Sequence, residues 1–145
     1  MLLVLAFLAL TLATPAEAVK AYLKGLEEAL NRGRAEPIKE VARPELVRRL
    51  QVWLDAWAFS GYRMEAKLHG YKVEEVKNRG AWAEVITHER WSYRYLDRKT
   101  GEEALPTQRI EYRIRYELRN EGGRWRVYDV EILEEVRGWK PHRRK

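Results

Sequence analysis

The apolar residues of the chain change their spacing near Gly61, from every third or fourth position to every second position. The first spacing is typical of an amphipathic helix, and the second is typical of a strand with one buried face. We therefore predict long helices from about Pro15 to Asn31 and from about Pro44 to Phe59, with a short helical piece between them. The apolar positions of the first helix are Val19, Tyr22, Leu23, Leu26 and Leu30.

Four strands are predicted after Gly61. The first starts at Tyr62, and its alternation reverses phase around Gly70, which predicts a bulge or bend there. A polar loop from Asp97 to Thr107 precedes the third strand, and the sequence NEGG from Asn120 to Gly123 predicts a hairpin turn before the fourth. The other three strands are predicted at about Ala81 to Leu96, Gln108 to Arg119 and Arg124 to Leu133.

Helices followed by a run of antiparallel strands are typical of an α+β domain. We predict N-terminal helices packed on a strongly curved antiparallel sheet of about four strands, as a single domain over residues 19–136. A chain of 145 residues is long enough for one buried core and short for two. Its six Trp and eight Tyr residues can supply a largely aromatic core.

The N-terminal segment resembles an export signal. Residues 1–16 carry no charge, and Leu2 to Leu12 is almost wholly aliphatic. This run is shorter than the roughly 20 residues that a membrane-spanning helix needs. Small residues offer cleavage sites after Ala13 and after Ala18, so we predict a signal-peptide-like segment over residues 1–18. The sequence therefore predicts an exported, periplasmic or extracytoplasmic protein, which stays anchored in the membrane where the segment is not cleaved.

The composition of the chain excludes several kinds of functional site. The chain has no cysteine, which excludes disulfides, thiolate metal sites and a cysteine nucleophile. No metal-ligand spacing and no glycine-rich phosphate loop occur, so we expect no metal and no cofactor. The net charge is +6, part of it in the basic tail over residues 137–145, which suits acidic partners. Only five Asn and Gln residues occur, a depletion typical of heat-adapted proteins.

Several motifs, in the same order along the chain, resemble the intermembrane-space domain of chloroplast-division proteins and their cyanobacterial relatives. The last of them is YRIRYELRNEGGRWRVYDVEIL, from Tyr112 to Leu133. The earlier ones are the helix Val19 to Leu30, the run Arg48 to Trp53, a Tyr-rich strand from Tyr62 to Val73 and an Ala-rich strand from Ala81 to Glu89. The resemblance implies a cone-shaped fold like that of nuclear transport factor two, in a non-catalytic interaction domain outside a membrane. It assigns no partner-binding residue to this chain.

Two residues are the candidates for catalysis. Asp129 interrupts an apolar face of the last strand, and a carboxylate buried there would have a raised pKa. His88 lies in the second strand on the same face as Glu84, Arg90 and Arg94, and could act as a general acid or base. The competing interpretation makes Asp129 a carboxylate paired with an arginine near the sheet edge. It makes His88 one member of a cross-strand polar ladder, and we favour it for both residues.

Alternating arginines give the sheet a candidate binding face. In RIEYRIRYELR, Arg109 to Arg119, the residues between the charges are apolar or tyrosine, which places the charges together on the solvent side. The two glutamates of this run suit a charge ladder better than a grip on phosphate. The residues proposed for this binding face are Arg90, Arg94, Arg113 and Arg115.

The leading hypothesis is an exported, non-catalytic protein- or peptide-binding domain of the bacterial cell envelope. Its expected partner is an envelope protein or a peptide, and a homodimer through the sheet face is compatible with the pattern. One alternative is a small-molecule enzyme or carrier that uses the pocket of the cone. The other is nucleic-acid binding through the arginine face and tail, which requires an affinity that falls steeply with salt.

Overall fold

The structure is a computed structural model that describes residues 14–140. It contains helix α1 (Pro15–Arg32), a 3-10 turn (Glu36–Ile38), helix α2 (Pro44–Phe59) and strands β1 (Tyr62–Arg79), β2 (Trp82–Asp97), β3 (Glu103–Glu121) and β4 (Arg124–Arg137). Most of the signal-like segment and the end of the basic tail lie outside the described residues. Within residues 14–140, no helix is long and apolar enough to cross a membrane.

Local signals explain the ends of the helices. The side-chain oxygen of Thr14 accepts a hydrogen bond from the backbone N–H of Glu17 at 3.1 Å, and Pro15 occupies the first turn of α1. Gly33 ends α1 in the left-handed conformation, with φ at 71°, which a residue without Cβ adopts at little cost. Pro44 begins α2 in the same way that Pro15 begins α1.

The four strands form one antiparallel sheet in the order β1-β2-β3-β4. Leu68 pairs with Trp91 and Gly70 pairs with Arg90, so His69 is an extra residue that has no partner in β2. The phase reversal predicted around Gly70 is therefore confirmed as a bulge. The predicted loop from Asp97 to Thr107 is shorter than expected, because pairing with β2 resumes at Glu103 and the loop closes in a tight turn after Asp97.

The helices pack on one face of the sheet, which confirms the predicted α+β fold. The Tyr22 ring of α1 meets the Tyr116 ring of β3 edge-on, with 5.7 Å between the ring centres. The Trp57 ring of α2 stacks on Tyr95 of β2 at 4.6 Å. Large side chains that are almost completely buried fill the space between helices and sheet, namely Trp91, Tyr116, Leu23, Ile38, Leu118, Val19, Val85 and Val127.

Segments outside the sheet cover part of each edge strand. The Asn31 side chain accepts a hydrogen bond from the Ala66 backbone N–H and donates one to its carbonyl, both at 2.8 Å. A carboxylate oxygen of Glu27 accepts from the Leu68 N–H at 2.6 Å. On the opposite edge, Val41 and Arg43 exchange backbone hydrogen bonds with Val127. These contacts pair edge groups that would otherwise be open to another strand, and they fix both helices to the sheet.

Candidate functional site

One carboxylate lies inside the fold. Glu89 of β2 is on the helix-covered face, and only 1% of it is exposed to solvent. The hydroxyl of Thr87 donates to one of its oxygens at 2.6 Å, and the indole N–H of Trp91 donates to the other at 2.8 Å. The hydroxyl of Tyr116 donates a third hydrogen bond at 2.5 Å. Three donors replace the water that a buried carboxylate gives up, which is the condition for its burial.

Tyrosines surround this carboxylate. Burial raises the pKa of Tyr22 and of Tyr116 well above the ordinary value, and the nearby charge of Glu89 raises both further. The hydroxyls of Tyr93 and Tyr112 lie 3.2 Å apart in the same sheet face. Burial is also the main cause of the raised pKa of Tyr93. These phenols keep their protons at neutral pH, so they can donate hydrogen bonds and cannot act as bases there.

The environment of Glu89 is typical of a carboxylate that stabilises the fold, and a substrate cannot reach it. Its oxygens are occupied by three side chains, and Trp91 and Tyr116 around it are themselves almost fully buried. A general acid or base has to come within hydrogen-bond distance of a substrate proton. The packing leaves Glu89 no exposed surface at which a substrate could meet it.

Glu89 was missed as a buried residue in the sequence, although one signal for it was present. The alternation of β2 puts Glu89 between Thr87 and Trp91 on the apolar face. Alternation alone does not show whether a single carboxylate on an apolar face is buried. That depends on its hydrogen-bond donors, and one of them, Tyr116, lies on another strand.

Asp129 lies on the outside of the sheet. Val127 pairs with Leu118 and Asp129 pairs with Glu117, so Tyr128 is an extra residue in β4. This bulge turns the strand over, and Val130 instead of Asp129 packs against the core. Asp129 is exposed. The burial on which the catalytic hypothesis for this residue depends is therefore not observed.

His88 also lies on the outer face. Its ring nitrogen Nε2 is 3.1 Å from a carboxylate oxygen of Glu111, and the Nε of Arg90 donates to the same oxygen at 2.8 Å. His88 is paired in the sheet with Arg113, whereas Asp129 is paired with Glu117. The two catalytic candidates therefore belong to different parts of the outer face, and His88 takes part in a cross-strand polar ladder.

The arginines of the proposed binding face each have a carboxylate partner. Arg94 lies 3.5 Å from Glu65, and Arg113 lies 3.2 Å from Glu74. Arg115 contacts both Glu84 and Glu131. With Arg90 paired to Glu111, the four arginines form a row of ion pairs across neighbouring strands. Each exposed pair adds little stability, but its carboxylate competes with any anion for the guanidinium.

Close to this row, the segment after β4 folds back over the outer face. The indole N–H of Trp139 donates to the backbone carbonyl of Trp91 at 3.2 Å. The Trp139 ring lies edge-on to the His69 ring at 4.8 Å, and the Arg90 guanidinium lies 5.8 Å from the centre of the indole. Together they border an open depression of about 370 Å³, which is lined by His69, Gly70, Tyr71, Lys72, His88, Arg90 and Trp139.

A second surface feature lies on α2. Phe59 is 94% exposed, Val52 is 69% exposed and Trp53 is 43% exposed. Val52, Ala56 and Phe59 follow the helical spacing of four and three residues, so they share one side of the helix. We call Val52, Trp53, Ala56 and Phe59 the α2 stripe.

Comparison with known proteins is informative about the fold. No family model matches the chain, and no curated protein matches it. The intermembrane-space region of the chloroplast protein ARC6 is similar in structure, with a TM-score of 0.67 and 18% identity, over 83% of this chain and 97% of that one. A conserved protein from Planctomyces limnophilus DSM 3776 has a TM-score of 0.51 and 13% identity, over 80% of this chain and 95% of that one.

These identities are too low to carry a function from one chain to the other. What they support is the fold, namely helices against a curved four-stranded antiparallel sheet in the same arrangement as the chloroplast intermembrane-space region. The expected architecture is therefore confirmed.

Proposed function

We propose that this protein is an exported, non-catalytic binding domain of the bacterial cell envelope, and that it holds a partner protein or peptide along the α2 stripe. The observation that carries this proposal is the exposure of Val52, Trp53 and Phe59 together on one helix. Scattered apolar residues are normal on a protein surface, but a contiguous apolar strip is typical of an interaction site.

The opposite side of α2 explains why the stripe is available to a partner. Leu54 is buried, and Trp57 stacks on Tyr95, so the core already uses that side of the helix. A helix with one face in the core usually has polar residues on the other face. Here the outward positions include three large apolar side chains, Val52, Trp53 and Phe59, beside the polar Asp55. Arg48 and Arg49 are exposed one turn before Val52, and Arg49 is paired with Glu45 at 2.6 Å. A partner segment with apolar anchors and an acidic residue near that end matches this surface.

We infer a non-catalytic protein from the filled interior of the fold and from the positions of the two catalytic candidates. Side chains fill the space between helices and sheet around Glu89. In the part of the chain that the structure describes, His88 and Asp129 border different depressions of the outer face, so they do not converge on one substrate. Enzymes need converging groups in a concave site, so the arrangement favours a binding domain over an enzyme or carrier that uses the pocket of the cone.

Placement in the envelope rests on two independent supports. The first is the uncharged, aliphatic N-terminal segment, which has the length and small-residue sites of an export signal. The second is the likeness of the fold to a region that lies in an intermembrane space in the chloroplast. Nucleic acid is the less favoured partner, because each of the four arginines proposed for the binding face is paired with a glutamate.

A site-specific photo-crosslinking experiment tests the proposal. A photoreactive amino acid at position 59 of the full chain, in its native cells, is expected to give a discrete adduct after irradiation. The matched control is the same group at position 99, an exposed position in the loop after β2. Val52→Asp places a charge in the stripe without disturbing the core and is expected to abolish the adduct.

The outcomes separate the possible partners. An adduct of twice the mass of the chain identifies a second copy, and any other discrete mass identifies a different envelope protein. Equal labelling at positions 59 and 99, or an adduct that survives Val52→Asp, would show that the α2 stripe does not bind a partner. Recovery of the chain from the cytoplasmic fraction alone would overturn the envelope placement.

A further inference from the structure

The depression beside Trp139 is built by three separate parts of the chain. The bulge in β1 places His69 out of register with β2, and Lys72 follows three residues later on the same strand. His88 and Arg90 project from β2 on the outer face of the sheet. Trp139 reaches the site from the segment after β4, where the Gly138 backbone N–H donates to the Arg109 carbonyl at 2.7 Å.

Two contacts hold Trp139 in place. Its N–H is bound to the Trp91 carbonyl, and its ring meets the ring of His69 edge-on. The indole is thereby fixed as one wall of the depression, with the Arg90 guanidinium over it. A side chain ordered in this way offers a flat apolar surface next to several nitrogen donors.

The charge of the depression is positive. Its lining residues include the cations Lys72 and Arg90, and the nearby carboxylate of Glu111 accepts from Arg90 and lies beside His88. Among residues 14–140, no carboxylate lies within 4.0 Å of the Lys72 ammonium. Burial lowers the pKa of His69, and the charges of Lys67 and Arg109 lower it further, against a smaller opposing effect of Glu27. The contribution of Lys67 and Arg109 agrees with the positive charge of the depression, whereas burial alone would disfavour a charge of either sign.

Within residues 14–140, Arg90 donates to Glu111 only through its Nε, so the two terminal amino groups of Arg90 are left as donors. We propose that this depression binds a phosphate monoester, with the phosphoryl group beside Lys72, these amino groups of Arg90 and the two histidines and the organic body against the Trp139 ring. A phosphoryl group brings about two negative charges and three acceptor oxygens, which matches several donors better than a single carboxylate does. The depression of about 370 Å³ is within the range of small-ligand sites. This inference is independent of the α2 stripe, and neither depends on the other.

Titration of the isotope-labelled full chain with phenyl phosphate, followed by NMR, tests the site. We expect saturable shifts of the Trp139 indole N–H and of the backbone amides from His69 to Lys72. Lys72→Gln should weaken binding about tenfold, since one charge-assisted hydrogen bond is lost. Lys77→Gln is the matched control on the same strand, where Lys77 lies near Glu75, and it should leave the affinity unchanged.

Inorganic phosphate and benzoate test separately the roles of the Trp139 ring and of the phosphoryl group. Inorganic phosphate should bind more weakly than phenyl phosphate, and Trp139→Ala should remove this difference by weakening only phenyl phosphate. Benzoate should bind more weakly than phenyl phosphate, because it carries one charge. Shifts that grow without saturation and spread over all basic residues would overturn the proposal, as would an unchanged affinity in Lys72→Gln. Equal binding of benzoate would overturn the phosphoryl assignment.

Discussion

The hydroxyl of Tyr116 on β3 donates a hydrogen bond to the carboxylate of Glu89 on β2, in the most buried part of the sheet. The pair joins the two central strands through side chains, in addition to the backbone ladder between them. Tyr22 of α1 packs edge-on against the same Tyr116 ring. The Glu89–Tyr116 pair and the Tyr22 contact thereby connect α1, β2 and β3. The hydrogen bonds of Glu89 form only when these three elements pack in one particular arrangement.

Glu89→Gln tests this network. Glutamine has the shape of glutamate, but its amide NH₂ would face donors that now point at a carboxylate oxygen. We expect the free energy of unfolding to fall by about 1–3 kcal/mol, since a buried donor is left without an acceptor. Urea denaturation gives this value as a shift of the midpoint at constant slope.

Glu117→Gln is the matched control for this substitution. Glu117 lies on the outer face of β3, with its carboxylate 3.9 Å from Arg119. We expect a change of at most about 0.5 kcal/mol, because exposed ion pairs contribute little. If the two substitutions had equal effects, the three donors around Glu89 would not be stabilising the fold.

Alkaline pH should destabilise the protein through its buried tyrosines. The pKa values of Tyr22 and Tyr116 are raised by burial and then by Glu89, whereas an exposed tyrosine titrates near 10. Above about pH 10 the unfolded chain releases these protons and the folded chain keeps them, so the stability that is full below that pH is lost as pH rises.

Denaturation midpoints measured between neutral pH and about pH 11 check this dependence. Tyr22→Phe removes one of the two phenols, so its stability should decline less steeply over the alkaline range than that of the unaltered chain. Tyr71→Phe is a suitable control, because Tyr71 lies in the middle of β1 and 36% of it is exposed to solvent. Parallel declines in the unaltered chain and in Tyr22→Phe would contradict the assignment.

The sequence predicted those features of the structure that depend on residues close together in the chain. The cap at Thr14, the stop at Gly33 and the bulge beside Gly70 were predictable, because the residues responsible are neighbours in the chain. The bulge at Tyr128 was not, because both faces of β4 carry apolar residues and the alternation does not show where the phase changes.

The candidate sites were less predictable than the fold for the same reason. The position of Trp139 depends on a hydrogen bond to Trp91, which is 48 residues away. The exposure of Phe59 depends on which side of α2 the sheet covers. The apolar residues of α2 are spread widely around the helix, so the sequence does not show which side is covered. The ladder of Arg90 and Glu111 was expected from alternating charges, since cross-strand pairs follow from the register.

Gly25→Ala should destabilise the protein even though alanine favours helices by about 1 kcal/mol over glycine. A Cβ at position 25 would lie 2.6 Å from the Pro37 carbonyl oxygen and 3.2 Å from a methyl carbon of Ile38. Because the nearest atom belongs to the backbone, α1 and the 3-10 turn would have to separate. We expect a net loss of about 1–2 kcal/mol, measured by thermal unfolding.

Lys24→Ala at the neighbouring exposed position of α1 is the control for Gly25→Ala. It places the same methyl group in the same helix without a close contact. We expect it to change the free energy of unfolding by at most about 0.5 kcal/mol. Equal melting temperatures for the unaltered chain and Gly25→Ala would mean that the close approach of the turn at Pro37 does not stabilise the fold.

If the chain is exported, the start of α1 favours cleavage after Ala13 over cleavage after Ala18. Thr14 caps the helix, its carbonyl accepts from the Ala18 N–H at 3.2 Å, and Pro15 and Ala18 are buried. A cut after Ala18 would remove the cap and this buried first turn, whereas a cut after Ala13 would leave both complete. Losing an N-cap alone costs about 1 kcal/mol.

We therefore expect the mature protein to begin at Thr14, as determined by N-terminal sequencing of the exported chain. Ala13→Asp should block processing, because signal peptidase requires a small residue before the cut. Ala16→Asp alters the second site at its other small residue, three positions before the cut after Ala18. It also adds an acid to the first turn of α1, where it is tolerated, so processing after Ala13 should continue normally. A mature chain that begins at Val19, or one blocked by Ala16→Asp and unaffected by Ala13→Asp, would show that the folded boundary of α1 does not determine the processing site.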